Sequence, residues 1–103
     1  MDVTPQTGNE QAKLWNGVGG RAWVEMQELT DQMFKPFEDL LVEAVRAGSR
    51  NSVLDIGCGT GSTTLAVARL LGVKGHCAGI DISEPMIAAA KARAAREDTP
   101  VRF

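Results

Sequence analysis

Residues 53–61, VLDIGCGTG, join a short apolar run to three glycines at alternate positions, Gly57, Gly59 and Gly61. An apolar run of this length that is closed by glycines is typical of a buried strand in a parallel sheet. The residues that follow, STTLAVARLLG, predict a helix over 62–72 that has Ser62 near its N-terminus and Gly72 at its end. A strand, a glycine turn and a helix in this order restrict the chain to the α/β class.

The same alternation continues towards the end of the chain. GHCAGIDI predicts a second strand over 75–82, and EPMIAAAKARAARED predicts a helix over 84–98 that is capped by Ser83. PVRF predicts the start of a third strand. Two complete strands cannot form a parallel sheet that is covered on both faces. We therefore expect this chain to be the first part of a larger domain, and to be marginally stable or self-associating through its sheet edges when alone.

Before the first strand the apolar pattern is helical. One stripe with helical spacing predicts a helix that begins at Pro36 and ends at Gly48; it consists of Phe37, Leu40, Leu41, Ala44 and Val45. The residues from 23 to 33 predict another helix, and NEQAKLW predicts a short third one. We divide the chain into a flexible lead-in (1–8), an N-terminal helical segment (9–50) and the first part of an α/β domain (51–103).

Composition excludes several classes of partner and site. The chain has 103 residues and a net charge of −2 without a Lys/Arg block, so we expect no nucleic acid or anionic lipid as a partner. It has no signal peptide and no apolar run of the ~18 residues that a membrane span needs, which predicts a cytoplasmic protein. Cys58 and Cys77 are expected on the order of 13 Å apart, so they are interpreted as free thiols, with no metal site.

A fixed negative charge, Asp55, lies two positions before the first glycine. The dinucleotide-binding pattern G-x-G-x-x-G would need a third glycine at Ser62, and a pyrophosphate close to Asp55 would be repelled by roughly a few kcal/mol. A cofactor with cationic groups and no phosphate is favoured at such a turn. S-adenosylmethionine, which carries an ammonium and a sulfonium, fits this requirement.

Three pieces of the sequence together carry a resemblance. VLDIGCGTG, then GIDIS, then PMI resemble the first two motifs of the class I S-adenosylmethionine-dependent methyltransferases, over roughly residues 52–97. NEQAKLWNGVGGRAWVEMQ resembles the N-terminal lead of small-molecule methyltransferases of the quinone-biosynthesis type. The resemblance implies a Rossmann-like fold and methyl transfer from S-adenosylmethionine to a small, apolar acceptor.

The resemblance also implies a role for each matching position in the turn. Gly57, Gly59 and Gly61 would let the main chain approach the methionine part of the cofactor. Asp55 would hold the cofactor's ammonium group, directly or through water.

At the second strand, the resemblance implies that Asp81 accepts hydrogen bonds from both ribose hydroxyls. Ile82 and Met86 would pack against the adenine, although a methionine at a helix start is also an ordinary core residue. No catalytic residue is identified. The family's next acidic motif would lie beyond Phe103.

Several alternatives stay open from the sequence. Cys58 is interpreted as a tolerated small residue, because no base accompanies it as a nucleophile would require. Trp15 and Trp23 either pack between helices or cover the cofactor. The alternative functions are a non-catalytic cofactor-binding fragment and an NAD-dependent oxidoreductase.

Overall fold

The computed structural model describes residues 7–49 and 51–103. Three helices come first: α1 (Thr7–Asn16), α2 (Val18–Glu25) and α3 (Gln27–Gly48). They are followed by β1 (Ser52–Ile56), α4 (Ser62–Leu71), a 3₁₀ turn (Gly72–Lys74), β2 (His76–Ile80) and α5 (Glu84–Glu97). The predicted α/β class, with helices before the first βαβα units, is confirmed.

The sheet is built around β2. β1 and β2 pair in parallel with Val53 opposite Cys77. On the other side of β2, the Gly79 amide donates to the Arg102 carbonyl at 2.8 Å, and the Arg102 amide donates to the Cys77 carbonyl at 3.0 Å. Residue 102 therefore begins a third parallel pairing, as the sequence predicts. β2 ends at Ile80, so Asp81 and Ile82 lie beyond the strand instead of within it.

The core lies where α4 packs between α3 and the sheet. Val67 and Ala68 of α4 are buried against Cys77 of β2, and Val42 and Val45 of α3 close the cluster. A helix that is apolar around most of its circumference needs partners on more than one side, and α4 has them. Gly72 ends α4 with a φ of 70°, which explains the glycine at that position.

The long helix α3 differs from the prediction. Instead of two helices with Pro36 in a first turn, one helix of 22 residues contains Pro36 in its interior. This part of α3 is exposed, so water can hydrate the Gln32 carbonyl that Pro36 leaves without a donor. The helix ends at Gly48, and the left-handed position after it is taken by Ser49, with a φ of 52°.

The predicted apolar stripe of α3 is only partly used. Val45 packs on the core, but Phe37, Leu40 and Leu41 remain 62%, 69% and 55% exposed. Among the described residues, no helix has the length and apolar content needed to cross a membrane.

A polar junction fixes α1 to the start of α5. The Asn16 side chain donates to the Ile82 carbonyl at 2.9 Å and accepts from the Glu84 amide at 2.7 Å. The buried Ser83 hydroxyl donates to the Trp15 carbonyl and accepts from the Met86 amide at 3.3 Å, which is the predicted cap of α5. α1 begins at Thr7, so the predicted lead-in falls largely on residues 1–6, outside the described residues.

Candidate functional site

A cavity of about 740 Å³ lies between the N-terminal helices and the carboxyl ends of the two strands. Its volume is in the range of small-molecule and cofactor sites. The N-terminal helices contribute seven lining residues: Trp15, Trp23, Gln27, Thr30, Asp31, Phe34 and Glu38. The rest of the lining comes from the strand ends and the segments that follow them: Ile56, Gly57, Cys58, Gly59, Thr60, Ser62, Thr63, Ile80, Asp81, Ile82 and Met86.

The glycine turn is fastened to the neighbouring strand and faces the cavity. The amides of Gly57 and Cys58 both donate to the Ile80 carbonyl, at 2.8 and 2.9 Å. Gly57 and Gly59 have left-handed φ angles of 74° and 57°. A Cβ on Gly57 would meet open space, whereas one on Gly59 would lie 2.9 Å from Cε of Met86. Gly57 therefore presents bare backbone to the cavity.

Asp81 lies beside this turn with both carboxylate oxygens in use. Oδ2 accepts from the Gly59 amide and Oδ1 accepts from the Ser83 amide, each at 2.9 Å. These bonds fix the plane of the carboxylate. A carboxylate has about four acceptor positions, so two remain for a ligand in the cavity that Asp81 lines.

Two of the site residues that the sequence predicts, Asp55 and Gly61, lie outside the cavity lining. Asp55 lies outside the cavity lining, and its Oδ2 accepts from the buried Thr64 hydroxyl at 2.7 Å. Alternate residues of a strand point to opposite faces, so Asp55 shares with Val53 the face that α4 covers. No direct contact between Asp55 and a ligand in the cavity follows from this geometry.

Gly61 has a packing reason in place of the predicted approach to the cofactor. A Cβ there would lie 2.9 Å from Cζ of Phe103 and 3.0 Å from Cβ of Ala90. Gly61 is the N-cap of α4 and has a left-handed φ of 87°. Gly61 therefore allows α4, α5 and the last residues of the chain to approach one another.

The two apolar residues that the sequence predicts to contact the adenine both line the cavity. Ile82 lines the cavity with half of its surface exposed, and Met86 lines it while remaining only 8% exposed. Met86 is thus both a core residue and a wall residue. The rings of Trp15 and Trp23 pack with centroids 6.2 Å apart, and both residues also line the cavity.

Two acidic residues of α3 belong to the site and were missed by the sequence reading. Asp31 lines the cavity and accepts from Arg93 at 2.7 Å. Glu38 lines it with only 9% of its surface exposed, and its Oε1 accepts from the Ser62 hydroxyl at 2.6 Å. Helical spacing could place them on one face of α3, but no sequence signal predicts which face meets the glycine turn.

The charge of the cavity is negative. Among the described residues that line it, Asp31, Glu38 and Asp81 are charged, and there is no Lys, Arg or His. Cys58 also lines the cavity, and burial, together with the charges of Asp55 and Asp81, raises the pKa of its thiol to about 11. A thiol with this pKa is not a nucleophile at neutral pH. Both cysteines are free in the structure.

Comparison with known proteins agrees with the fold and the glycine turn. Residues 53–103 match the family model of a methyltransferase domain. The chain is 38% identical over 64 residues to nocamycin O-methyltransferase from Saccharothrix syringae. The matched stretch covers 62% of this chain and 23% of that protein. It is 43% identical over 51 residues to demethylmenaquinone methyltransferase from Shouchella clausii, covering 50% of this chain and 21% of that protein.

The whole fold is similar to a crystal structure of magnesium protoporphyrin IX methyltransferase from Synechocystis PCC 6803 with bound SAM. The TM-score is 0.78 at 20% identity, and the match covers 100% of this chain and 56% of that one. Residues 53–103 belong to the methyltransferase domain family, and the chain has the fold of the solved methyltransferase. It spans just over half of the solved structure and less than a quarter of the two curated relatives.

Proposed function

We propose that this chain forms the cofactor-binding part of an enzyme that transfers a methyl group from S-adenosylmethionine to a small, apolar acceptor. The single observation that carries the proposal is Asp81. Its carboxylate is fixed beside the glycine turn and keeps two acceptor positions for the two ribose hydroxyls of a nucleoside.

The charges of the cavity support this cofactor over a dinucleotide. S-adenosylmethionine carries a sulfonium and an ammonium, which carboxylates attract, whereas the pyrophosphate of NAD would be repelled. The sequence assigns this selection to Asp55, which faces α4 instead. Asp81 and Glu38 would select for a cationic cofactor in place of Asp55, because both line the cavity.

The residues present fit the cofactor in size and chemistry. Gly57 would let the main chain approach its methionine part, Asp81 would bind the ribose, and Ile82 and Met86 would contact the adenine. The cofactor supplies the reactive methyl group through its sulfonium. The chain's own residues hold the reactants in place and exclude water, and orientation of this kind contributes as much as ~7–11 kcal/mol to catalysis.

The acceptor is proposed from the apolar part of the wall. Trp15, Trp23 and Phe34 of the N-terminal helices line the cavity. Their rings suit a small apolar molecule, and the carboxylates disfavour an anionic one. Self-association through the sheet edges, a cytoplasmic location and the division of the chain at residue 51 stay predictions.

Calorimetric titration of the intact protein tests the proposal. We expect binding of S-adenosylhomocysteine and no measurable binding of NAD. Asp81→Ala should weaken the binding of S-adenosylhomocysteine at least tenfold, because hydrogen bonds to a charged acceptor contribute ~1.5–3 kcal/mol each. Glu43→Ala is the control, since Glu43 is an exposed acid of α3 outside the cavity.

Thermal unfolding followed by circular dichroism must accompany the titration, because Asp81 also holds the Gly59 amide. Binding of NAD in preference to S-adenosylhomocysteine contradicts the proposal. Binding of S-adenosylhomocysteine without methyl transfer to any acceptor would instead support the non-catalytic alternative.

A further inference from the structure

The three carboxylates that line the cavity differ in how their charge is compensated. Asp31 has a cation, Arg93, at 2.7 Å. Asp81 has a backbone amide on each oxygen. Glu38 has one hydroxyl, from Ser62, on Oε1.

Among the described residues, the second oxygen of Glu38, Oε2, accepts no hydrogen bond and has only a long ion pair. The nearest cation, Lys35, lies 3.9 Å from Oε2 and is 59% exposed. Lys35 is also hydrogen-bonded to Asp39, which draws its ammonium away from Glu38. Removing a carboxylate from water is costly unless a cation or several donors compensate it. Glu38 therefore keeps an acceptor position on Oε2 that a cationic group in the cavity can use.

The position of Glu38 connects this demand to the glycine turn. Ser62, which holds Oε1, is the first residue of α4 and directly follows the turn. Glu38 therefore lies beside the end of the glycine turn and lines the same cavity as Gly57, whose bare backbone would approach the amino-acid end of the cofactor. Asp55, the acid that the sequence assigns to this end, faces α4.

We propose that Glu38 binds the ammonium group of the cofactor's amino-acid end and that Ser62 orients it for this contact. Glu38 is then a specificity-determining residue, which makes the cavity prefer nucleosides that carry a cationic amino-acid tail. The inference rests on the proposed function, because it assumes an S-adenosylmethionine-type ligand in this cavity.

Two ligands separate the two proposals. S-adenosylhomocysteine has the amino-acid tail, whereas 5′-methylthioadenosine has the same nucleoside and thioether without it. Calorimetric titration of the intact protein with Glu38→Gln, which removes the charge but keeps an acceptor for Ser62, should weaken S-adenosylhomocysteine about tenfold. Affinity for 5′-methylthioadenosine should change less than about twofold, because an ammonium contact cannot contribute to it.

Ser62→Ala should give a smaller loss, confined to S-adenosylhomocysteine, because the carboxylate stays but loses its orientation. Glu43→Gln is the matched control, since Glu43 is an exposed glutamate of the same helix that pairs with Arg46. An unchanged or higher affinity of Glu38→Gln for S-adenosylhomocysteine overturns the inference. An equal loss for both ligands also overturns it, because that result indicates a structural role. Failure of the unsubstituted protein to bind either ligand rejects the proposed function itself.

Discussion

At the residue scale, there are two different physical reasons why the three positions of the motif are glycine. Gly57 and Gly59 line the cavity, and Gly57 has no neighbour that a side chain would strike. Gly61 lies outside the lining, against Phe103 and Ala90. The sequence shows one pattern of alternate glycines, but one end of it lines the cavity and the other end allows close packing.

Alanine substitutions should separate these two reasons. Gly57→Ala and Gly61→Ala both place a Cβ at a positive φ, which costs roughly 1–2 kcal/mol of the free energy of unfolding. Gly61→Ala should cost more, because its Cβ would also lie 2.9 Å from Phe103. Gly57→Ala should show the larger loss of affinity for S-adenosylhomocysteine, since its Cβ projects into open space at the cavity.

Urea unfolding and calorimetric titration of the same two variants check this pair of effects. The roles assigned here are wrong if Gly61→Ala weakens binding more than Gly57→Ala does. They are also wrong if Gly57→Ala destabilises the fold more than Gly61→Ala.

At the element scale, the site depends on how α1 is joined to the segment between β2 and α5. Asn16 and Ser83 make this junction with hydrogen bonds in both directions. Gly20 of α2 permits the same close approach, because a Cβ there would lie 2.6 Å from the Ser83 hydroxyl. The junction thereby holds Trp15 on the cavity wall.

Removing the Ser83 hydroxyl should loosen this junction. Ser83→Ala deletes the cap of α5 and leaves the Trp15 carbonyl without its donor, so we expect a loss of about 1–3 kcal/mol in the free energy of unfolding. Urea unfolding measures the loss, and the matched control is Ser52→Ala at the exposed start of β1. Trp fluorescence should show greater exposure of the Trp15–Trp23 pair to a soluble quencher. Equal stability of the two variants would contradict the assigned role of Ser83.

At the scale of the whole molecule, one face of the sheet has no cover among the described residues. Leu54, Ile56 and Ile80 share the face opposite α4 and are 57%, 76% and 50% exposed. Phe37, Leu40 and Leu41 of α3 add further exposed apolar surface. Exposed strand edges and apolar faces favour association between chains.

A chain of these 103 residues is therefore expected to self-associate when it is produced alone. Leu54→Glu should shift it towards monomer in sedimentation velocity, because a charge in the middle of β1 on this face opposes its burial. Val73→Glu is the control, since Val73 is 89% exposed in the 3₁₀ turn and lies away from this face. A stable, cooperatively unfolding monomer before any substitution would refute the expectation.

The sequence by itself determined those features that depend on neighbours along the chain. β1 lies directly before the glycine turn as predicted, α4 begins at Ser62 as predicted, and Ser83 caps α5, because alternation, glycine and capping signals act over a few residues. The glycine turn was predicted for the same reason, since it follows a recognisable strand, whereas Asp81 was predicted within the second strand and lies just beyond it.

Only the tertiary structure decided the features that depend on which surfaces meet. It continued α3 through Pro36, because solvent can hydrate the carbonyl that the proline leaves free. It turned Asp55 towards Thr64, because the face of β1 that carries Val53 is the one that α4 covers. It brought Glu38 from a distant helix to Ser62. Contacts between residues far apart in the chain depend on packing geometry, which has no local signature in the sequence.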